Sequence, residues 1–236
     1  MTSKKDAIIL CSGGLDSVVT AFYVKNRLDY NKLIILFFDY GQKSLKEERE
    51  SAKICAKGLG VEFKEVNLRW LGDISSSLLN KKGKVRRMNR KDLKDSSKES
   101  AKFYVPCRNL IFLTNALALA ESRYIKNKRN VDIFVGFKCE GKESYQDTTK
   151  SFVNEINKIA SISCLTKSKV IAPLIEKDKE DIIILGKKLG VRLEKTFSCY
   201  NPQKDKQCGY CLACKLRQEG FYWANEKDLT EYYDIH

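Results

Sequence analysis

Ser12-Gly13-Gly14-Leu15-Asp16-Ser17 is the first stretch of this chain whose residue types and spacing suit a reactive site. It follows an apolar run, Ala7 to Cys11, and leads into a segment of helical spacing. Two glycines let a backbone approach a ligand closely and adopt conformations that a Cβ forbids. The amides of a helix's first turn then face an anion with the helix dipole behind them. The hydroxyls of Ser12 and Ser17 add donors, giving a phosphate cradle without the Gly-Lys-Ser/Thr ending of a Walker loop. A tight turn that used Asp16 and Ser17 only to cap a helix would not demand both serines and both glycines. The second stretch holds Cys199, Cys208, Cys211 and Cys214, spaced Cys-x8-Cys-x2-Cys-x2-Cys, with Gly209 beside the second cysteine. Four thiolates so spaced can close a tetrahedral structural Zn2+ site with no open position for catalysis. An iron–sulfur cluster also takes four thiolates. Zinc is expected, one per chain, because a knuckle appended to a complete α/β domain needs no redox partner.

The elements around these residues follow from periodicity. Ala7 to Cys11 and Lys32 to Phe38 are continuous apolar runs of strand length, and Glu62 to Leu68 alternates like a third strand. Leu15 begins a helix carried by Val18, Val19, Phe22 and Tyr23, and Leu45 to Leu59 predicts another that stops at Gly60. Asn109 to Arg123, Thr148 to Ile162 and Asp178 to Leu189 read as helices, and Val131 to Phe137 as a buried strand. This β-turn-α-β-α-β order signals an α/β fold: a parallel sheet with helices on both faces. Residues 1–195 are expected to form that domain, and 196–236 the small cysteine-bearing segment.

Composition narrows the class. The chain has 236 residues, 44 basic against 30 acidic, for a formal charge of +14. That length supplies a core without disulfide staples, and the nine cysteines of a chain read as cytoplasmic argue against a disulfide framework. The five scattered ones, Cys11, Cys55, Cys107, Cys139 and Cys164, read mostly as small buried apolar residues. No run reaches the roughly 18 apolar residues of a membrane helix, and the first residues carry no signal-peptide pattern. The single histidine is His236, which argues against Ser-His-Asp, Cys-His and His-ligated metal devices. From Lys81 to Glu99 nine basic residues face three acidic ones, leaving +6 in a segment of little apolar periodicity. It is expected to be a mobile insertion, about 80–102, over the sheet's edge. Nucleic acid is one partner such charge suits, but stacking aromatics are absent until Phe103 and Tyr104.

The hexapeptide resembles the Ser-Gly-Gly-x-Asp-Ser signature of the PP-loop ATP pyrophosphatase superfamily. Together with the cysteines, the chain resembles the 7-cyano-7-deazaguanine synthase (QueC) family over nearly its whole length. The resemblance also rests on Asp39-Tyr40-Gly41-Gln42 followed by Glu47, Val105-Pro106-Cys107-Arg108-Asn109, Ala172-Pro173-Leu174 with Lys179, and Ser198-Cys199-Tyr200. It is most specific at Cys208-Gly209-x-Cys211-x-x-Cys214-x-Leu216-Arg217. The resemblance implies a zinc-containing homodimer that converts 7-carboxy-7-deazaguanine, ammonia and ATP-Mg2+ into the nitrile through an amide. Within it, Ser12, Gly13, Gly14, Leu15 and Ser17 would hold the phosphates, with Asp39 and Gln42 also on the nucleotide side. Asp16 would ligate Mg2+ or organise the loop, Arg108 and Lys179 would offset charge as pyrophosphate leaves, and Asp147 would stand on the substrate side.

Three departures stand out. The family usually has Val-Pro-Gly-Arg-Asn, and Cys107 replaces that glycine. A histidine commonly follows Tyr-Gly-Gln-Arg, where this chain has Gln42-Lys43-Ser44. Where the family reads Tyr-Pro-Asp-Cys-Arg, Tyr145-Gln146-Asp147-Thr148-Thr149 keeps only the tyrosine and the aspartate. The phosphate and metal motifs are intact, so the acceptor is the open question. QueC-like enzymes of bacterial antiviral defence, which attach the deazaguanine to a protein amine, form one alternative. A PP-loop RNA-modifying enzyme is a more distant one, without a recognisable RNA-binding module to support it.

Overall fold

The apolar runs form strands because their side chains find cover on both sheet faces. In the computed structural model, which describes residues 4–138 and 145–233, they are β1 (Asp6–Leu10), β2 (Leu33–Asp39), β3 (Glu62–Asn67), β4 (Val131–Val135) and the two-residue β5 (Val170–Ile171). All pair in parallel in the order β3-β2-β1-β4-β5. Every residue of β2 and β4 is buried, whereas β3, on the edge, has only exposed and half-buried positions. Helices α1 (Leu15–Arg27), α2 (Leu45–Leu59) and α7 (Lys179–Lys188) cover one face, packing on Ile9, Ile35 and Phe37. Helices α5 (Arg108–Asn127) and α6 (Lys150–Ser163) cover the other, against Ile8, Leu36 and Ile133. Cys139 and His236 lie outside the described residues, as does the segment that leads to Tyr145.

Element ends differ from the sequence reading for local reasons. Gly60 stops α2 as expected, at φ 62 with its N–H donating to Ala56 and Lys57 carbonyls. Helix α6 starts two residues later than the pattern predicts, because the Thr149 side chain accepts from Phe152 N at 3.1 Å and caps it. Strand β4 ends at Val135, before Gly136. The short α3 (Arg69–Ile74) and α4 (Ser97–Ala101), and α8 (Leu212–Trp223), have no counterpart in the sequence reading.

The basic segment makes specific contacts with the rest of the chain. Met88 is buried, its N–H donates to Tyr210 O at 2.9 Å, and Arg87 lies 4.4 Å from the centre of the Tyr210 ring. Arg86 pairs with Asp92 at 2.7 Å and Arg90 with Glu219 of α8 at 2.8 Å. Part of the charge read as surplus is thus paired with acidic side chains. The segment packs onto the cysteine-bearing part of the chain, and the four cysteines in turn belong to the same buried cluster as β1, β2 and β4.

Candidate active site

In a parallel sheet, successive crossovers leave in opposite directions at one place, and a crevice opens there at the strands' carboxyl ends. In this chain that place lies between β1 and β4. The Ser12–Ser17 loop follows β1, and Gly136 to Lys138 follow β4. Both line a cleft of about 350 Å³.

The two glycines do different work. Gly13 has φ +80, and a Cβ there would sit 2.5 Å from the Glu48 carbonyl and 2.7 Å from Ser51 Cβ, so α2 packs against its bare backbone. Gly14 has φ −69 and caps α1; a Cβ there would meet only the Ser12 hydroxyl, 3.2 Å away, and the Phe197 carbonyl. Gly14 therefore faces the cleft, and Gly13 shapes the loop from behind without lining it. Gly14 N–H donates to Ser12 Oγ at 3.3 Å, and Ser17 Oγ donates to Gly14 O at 3.0 Å. The first-turn amides of α1, among them those of Leu15, Asp16 and Ser17, remain for an anion.

Asp16 and Lys179 meet across the chain. Lys179 Nζ lies 2.9 and 2.7 Å from the two Asp16 oxygens, and both residues line the cleft. The lysine stem lies on Gly220 of α8, where a Cβ would collide with Lys179 Cγ. Gly136 plays a similar part on the other side: a Cβ there would stand 2.8 Å from the backbone N and Cα of Ser17.

Beyond the loop the cleft becomes aromatic, with Phe38 stacked on Phe112 at 4.2 Å between ring centres and Tyr40 beside them. Arg108 lines this end, 5.7 Å from the centre of the Tyr40 ring. Burial opposes its charge, but Tyr40, Tyr200, Asp147 and Tyr145 around it hold the guanidinium above its ordinary value. Gln42 also lines it: its Nε2 donates to Phe38 O at 3.0 Å and to Glu48 at 3.1 Å, and its Oε1 accepts from Tyr40 N. Glu48 lines the cleft too, and it is the half-buried acid that the sequence reading missed. Burial pushes its carboxyl up to about 7, against the hydrogen bonds from Ser44 and Gln42 and the charge of Arg108.

Two residues expected in the site stand elsewhere. Asp39 is buried at the end of β2, where it accepts from Gly41 N at 3.2 Å and Arg69 Nε at 2.8 Å; it holds the turn that presents Tyr40 and Gln42 and does not line the cleft. Asp147 reaches the site through its charge on Arg108 and its carbonyl, to which Asn109 Nδ2 donates at 3.4 Å. Its neighbours Tyr145 and Thr148 line the cleft. Cys107 adopts φ 53 immediately before α5, the left-handed conformation that suits the glycine it replaces.

The four cysteine sulfurs all lie within 4.8 Å of one another and are fully buried. Sγ of Cys199 is 3.9 Å from that of Cys211, and Sγ of Cys214 is 3.9 Å from that of Cys208 and 3.5 Å from that of Cys211. Backbone N–H groups of Asn201 and Cys208 donate to Cys199 Sγ, each at 3.2 Å, and that of Cys211 to Cys208 Sγ at 3.3 Å. Donors aimed at sulfur favour thiolates, and the set fits a bound metal.

The chain is similar to several known proteins. A chain from Methanosphaera stadtmanae called 7-cyano-7-deazaguanine synthase is 35% identical over 232 residues, covering 97% of this chain and 99% of the relative. One of the same name from Campylobacter hominis is 35% identical over 231 residues, covering 96% and 99%. Among solved structures, a 4-thiouridine synthetase in complex with RNA and ATP aligns with TM-score 0.48 and 20% identity over 81% of this chain and 42% of its own. The U34-tRNA thiolase NcsA from Methanococcus maripaludis, which carries a [4Fe-4S] cluster, aligns at 0.45 and 14% identity over 94% of this chain and 64% of its own. The family described as "Queuosine biosynthesis protein QueC" matches residues 6–225, and the chain belongs to it.

Proposed function

We propose that the chain is an ATP-dependent carbon–nitrogen ligase that adenylates 7-carboxy-7-deazaguanine, amidates it with ammonia and carries the amide on to 7-cyano-7-deazaguanine. The observation that carries this reading is one cleft that combines an anion cradle, a lysine held by Asp16, and an aromatic chamber bearing Arg108. A nucleotide's phosphates fit the first, and a planar heterocycle with a carboxylate fits the last. The substrate carboxylate attacks the α-phosphorus of ATP, and the bond to pyrophosphate breaks. Ammonia then attacks the acyl carbon and AMP leaves. A second ATP activates the amide oxygen, which departs on AMP as the nitrogen gives up its two protons.

Ser12, Gly14, Ser17 and the first amides of α1 would hold the β and γ phosphates, with Gly13 shaping the loop. Asp16 is spent on Lys179, which favours a role as loop organiser over one as Mg2+ ligand. Lys179 and Arg108 would stabilise charge as pyrophosphate leaves; a preorganised group of this kind is worth about 10²–10³ in kcat. For the cysteines we propose one structural Zn2+. A single ion with metal–sulfur bonds of about 2.3 Å sets its ligands about 3.8 Å apart, close to the 3.5, 3.9 and 3.9 Å of three sulfur pairs here, whereas a cubane cluster binds each thiolate to a different iron and spreads them wider. The enzyme would work as a cytoplasmic homodimer, with residues 1–195 as its catalytic part and 196–236 as the metal-bearing part.

A protein amine as acceptor is the second reading. It is favoured by the altered Tyr145-Gln146-Asp147-Thr148-Thr149 stretch, two residues of which line the cleft. Adenylation is common to both readings and is tested by labelling. With 18O in the substrate carboxylate, AMP should acquire the label; unlabelled AMP would contradict activation of the carboxylate.

A further inference from the structure

The segment Leu193 to Cys199 separates the phosphate loop from the cysteine knot, and its hydrogen bonds run both ways. On the loop side, Phe197 N–H donates to Gly13 O at 2.9 Å, and Ser51 Oγ lies 2.7 Å from both Gly13 O and Lys195 O. Phe197 and Ser198 both line the cleft. On the knot side stands Gln207, the residue before Cys208 of the four-cysteine cluster. Its Nε2 donates to Thr196 O at 3.1 Å, and its Oε1 accepts from Ser198 N at 3.1 Å. One buried amide thus grips the residues on either side of Phe197. Its own backbone carbonyl accepts from Tyr233 N at 2.8 Å, which fixes it in the fold.

We propose that Gln207 is a positioning residue: it transmits the geometry of the four-cysteine knot to the phosphate loop by holding Phe197 N–H on Gly13 O. The inference rests on the ATP reading of that loop. Gln207 does not line the cleft, so it acts only through the 196–198 backbone. Gly13 has no slack to absorb a shift, because α2 already touches the place a Cβ would fill. A metal held by the four thiolates would make the far end of the lever rigid. Cys199, one of the four cysteines, lies two residues past Phe197, and Cys208 N–H donates to Cys199 Sγ at 3.2 Å. Arg217 Nη1, 2.6 Å from Thr196 Oγ1, steadies the segment from α8 but holds only one side of Phe197.

The test uses Gln207→Leu, which keeps the bulk and removes both hydrogen bonds, and Gln207→Glu, which keeps the acceptor for Ser198 N. Metal per chain is measured by elemental analysis, and affinity for α,β-methylene ATP, which cannot be cleaved at the reacting bond, by calorimetry. Both variants should retain the wild-type metal content. The affinity should fall about tenfold in Gln207→Leu, the loss expected for hydrogen bonds of ordinary strength, and at least as far in Gln207→Glu, whose carboxylate would face the Thr196 carbonyl with no proton to donate. Wild-type affinity in the leucine variant, however much its melting temperature drops, would reduce Gln207 to packing and overturn the proposal. Loss of metal in step with affinity would overturn it as well, because the residue would then serve the knot alone. If Gln207→Leu does not fold, Gln207→Glu decides by the same two measurements. A wild-type chain that binds no analogue would overturn the ATP reading and the clamp together.

Discussion

Gly13 and Gly14 stand next to each other and should fail differently. Gly14 has an ordinary φ and faces the cleft, so Gly14→Val should fold and stop pyrophosphate formation by filling the space of a phosphate, and Ser17→Ala should also fold and lose it. Gly13→Ala should instead cost about 3 kcal/mol or more of stability, combining a left-handed φ with a collision against the α2 backbone. Denaturant unfolding alongside a pyrophosphate assay separates the two; normal pyrophosphate release by both cleft variants would refute the site. Glu48 gives a pH signature. Its carboxyl holds a proton more tightly folded, at about 7, than its ordinary value of 4.5. That preference adds stability present in full below 4.5 and lost as pH rises through about 7. Glu48→Gln should remove this fall, so the variant gains on wild type between pH 5 and 8 in denaturant midpoints; parallel profiles would contradict it. The hexapeptide was legible because glycines and hydroxyls at a strand–helix junction have few other uses. Glu48 was not, since an acid in a helix's first turn is commonplace, and the resemblance pointed to its neighbour Glu47.

Helix α8 connects the two sites: Cys214 lies in its first turn, and Gly220 lies beneath Lys179. Gly220→Ala should push Lys179 off Asp16 and lower kcat on the order of a hundredfold, as misplacement by about 1 Å can, with metal retained. Cys211→Ser should do the converse, losing the metal and lowering the melting temperature. Unchanged kcat in the first variant would detach Lys179 from the chemistry. Full metal content in the second would remove Cys211 from the ligand set. The cysteine spacing announced the knot, but α8 did not announce itself. Its helical positions overlap the metal motif, and its buried residues, Leu212, Cys214, Arg217, Gly220 and Phe221, include an arginine and a glycine that no apolar pattern counts. The contacts of the basic segment were illegible for a related reason. Its anchors are Met88, a backbone N–H and a ring contact, which leave no periodicity to find.

At the scale of the whole molecule, the parallel α/β architecture was legible because β1, β2 and β4 are buried on both faces and read as apolar runs. Strand β5, two residues long, was not, and the sheet order on which the crevice depends follows from pairings no local window contains. Among the described residues no helix is long and apolar enough to cross a membrane. The crevice at the β1/β4 switch joins the phosphate loop to the aromatic chamber. The chemistry of that union is tested most directly by the mass of the product. Purified chain with 7-carboxy-7-deazaguanine, ATP-Mg2+ and ammonia should yield the nitrile, with AMP and pyrophosphate, at roughly 1 per second or faster. Stalling at the adenylate or the amide, with the deazaguanine appearing on a protein amine when candidate partners are added, would contradict it.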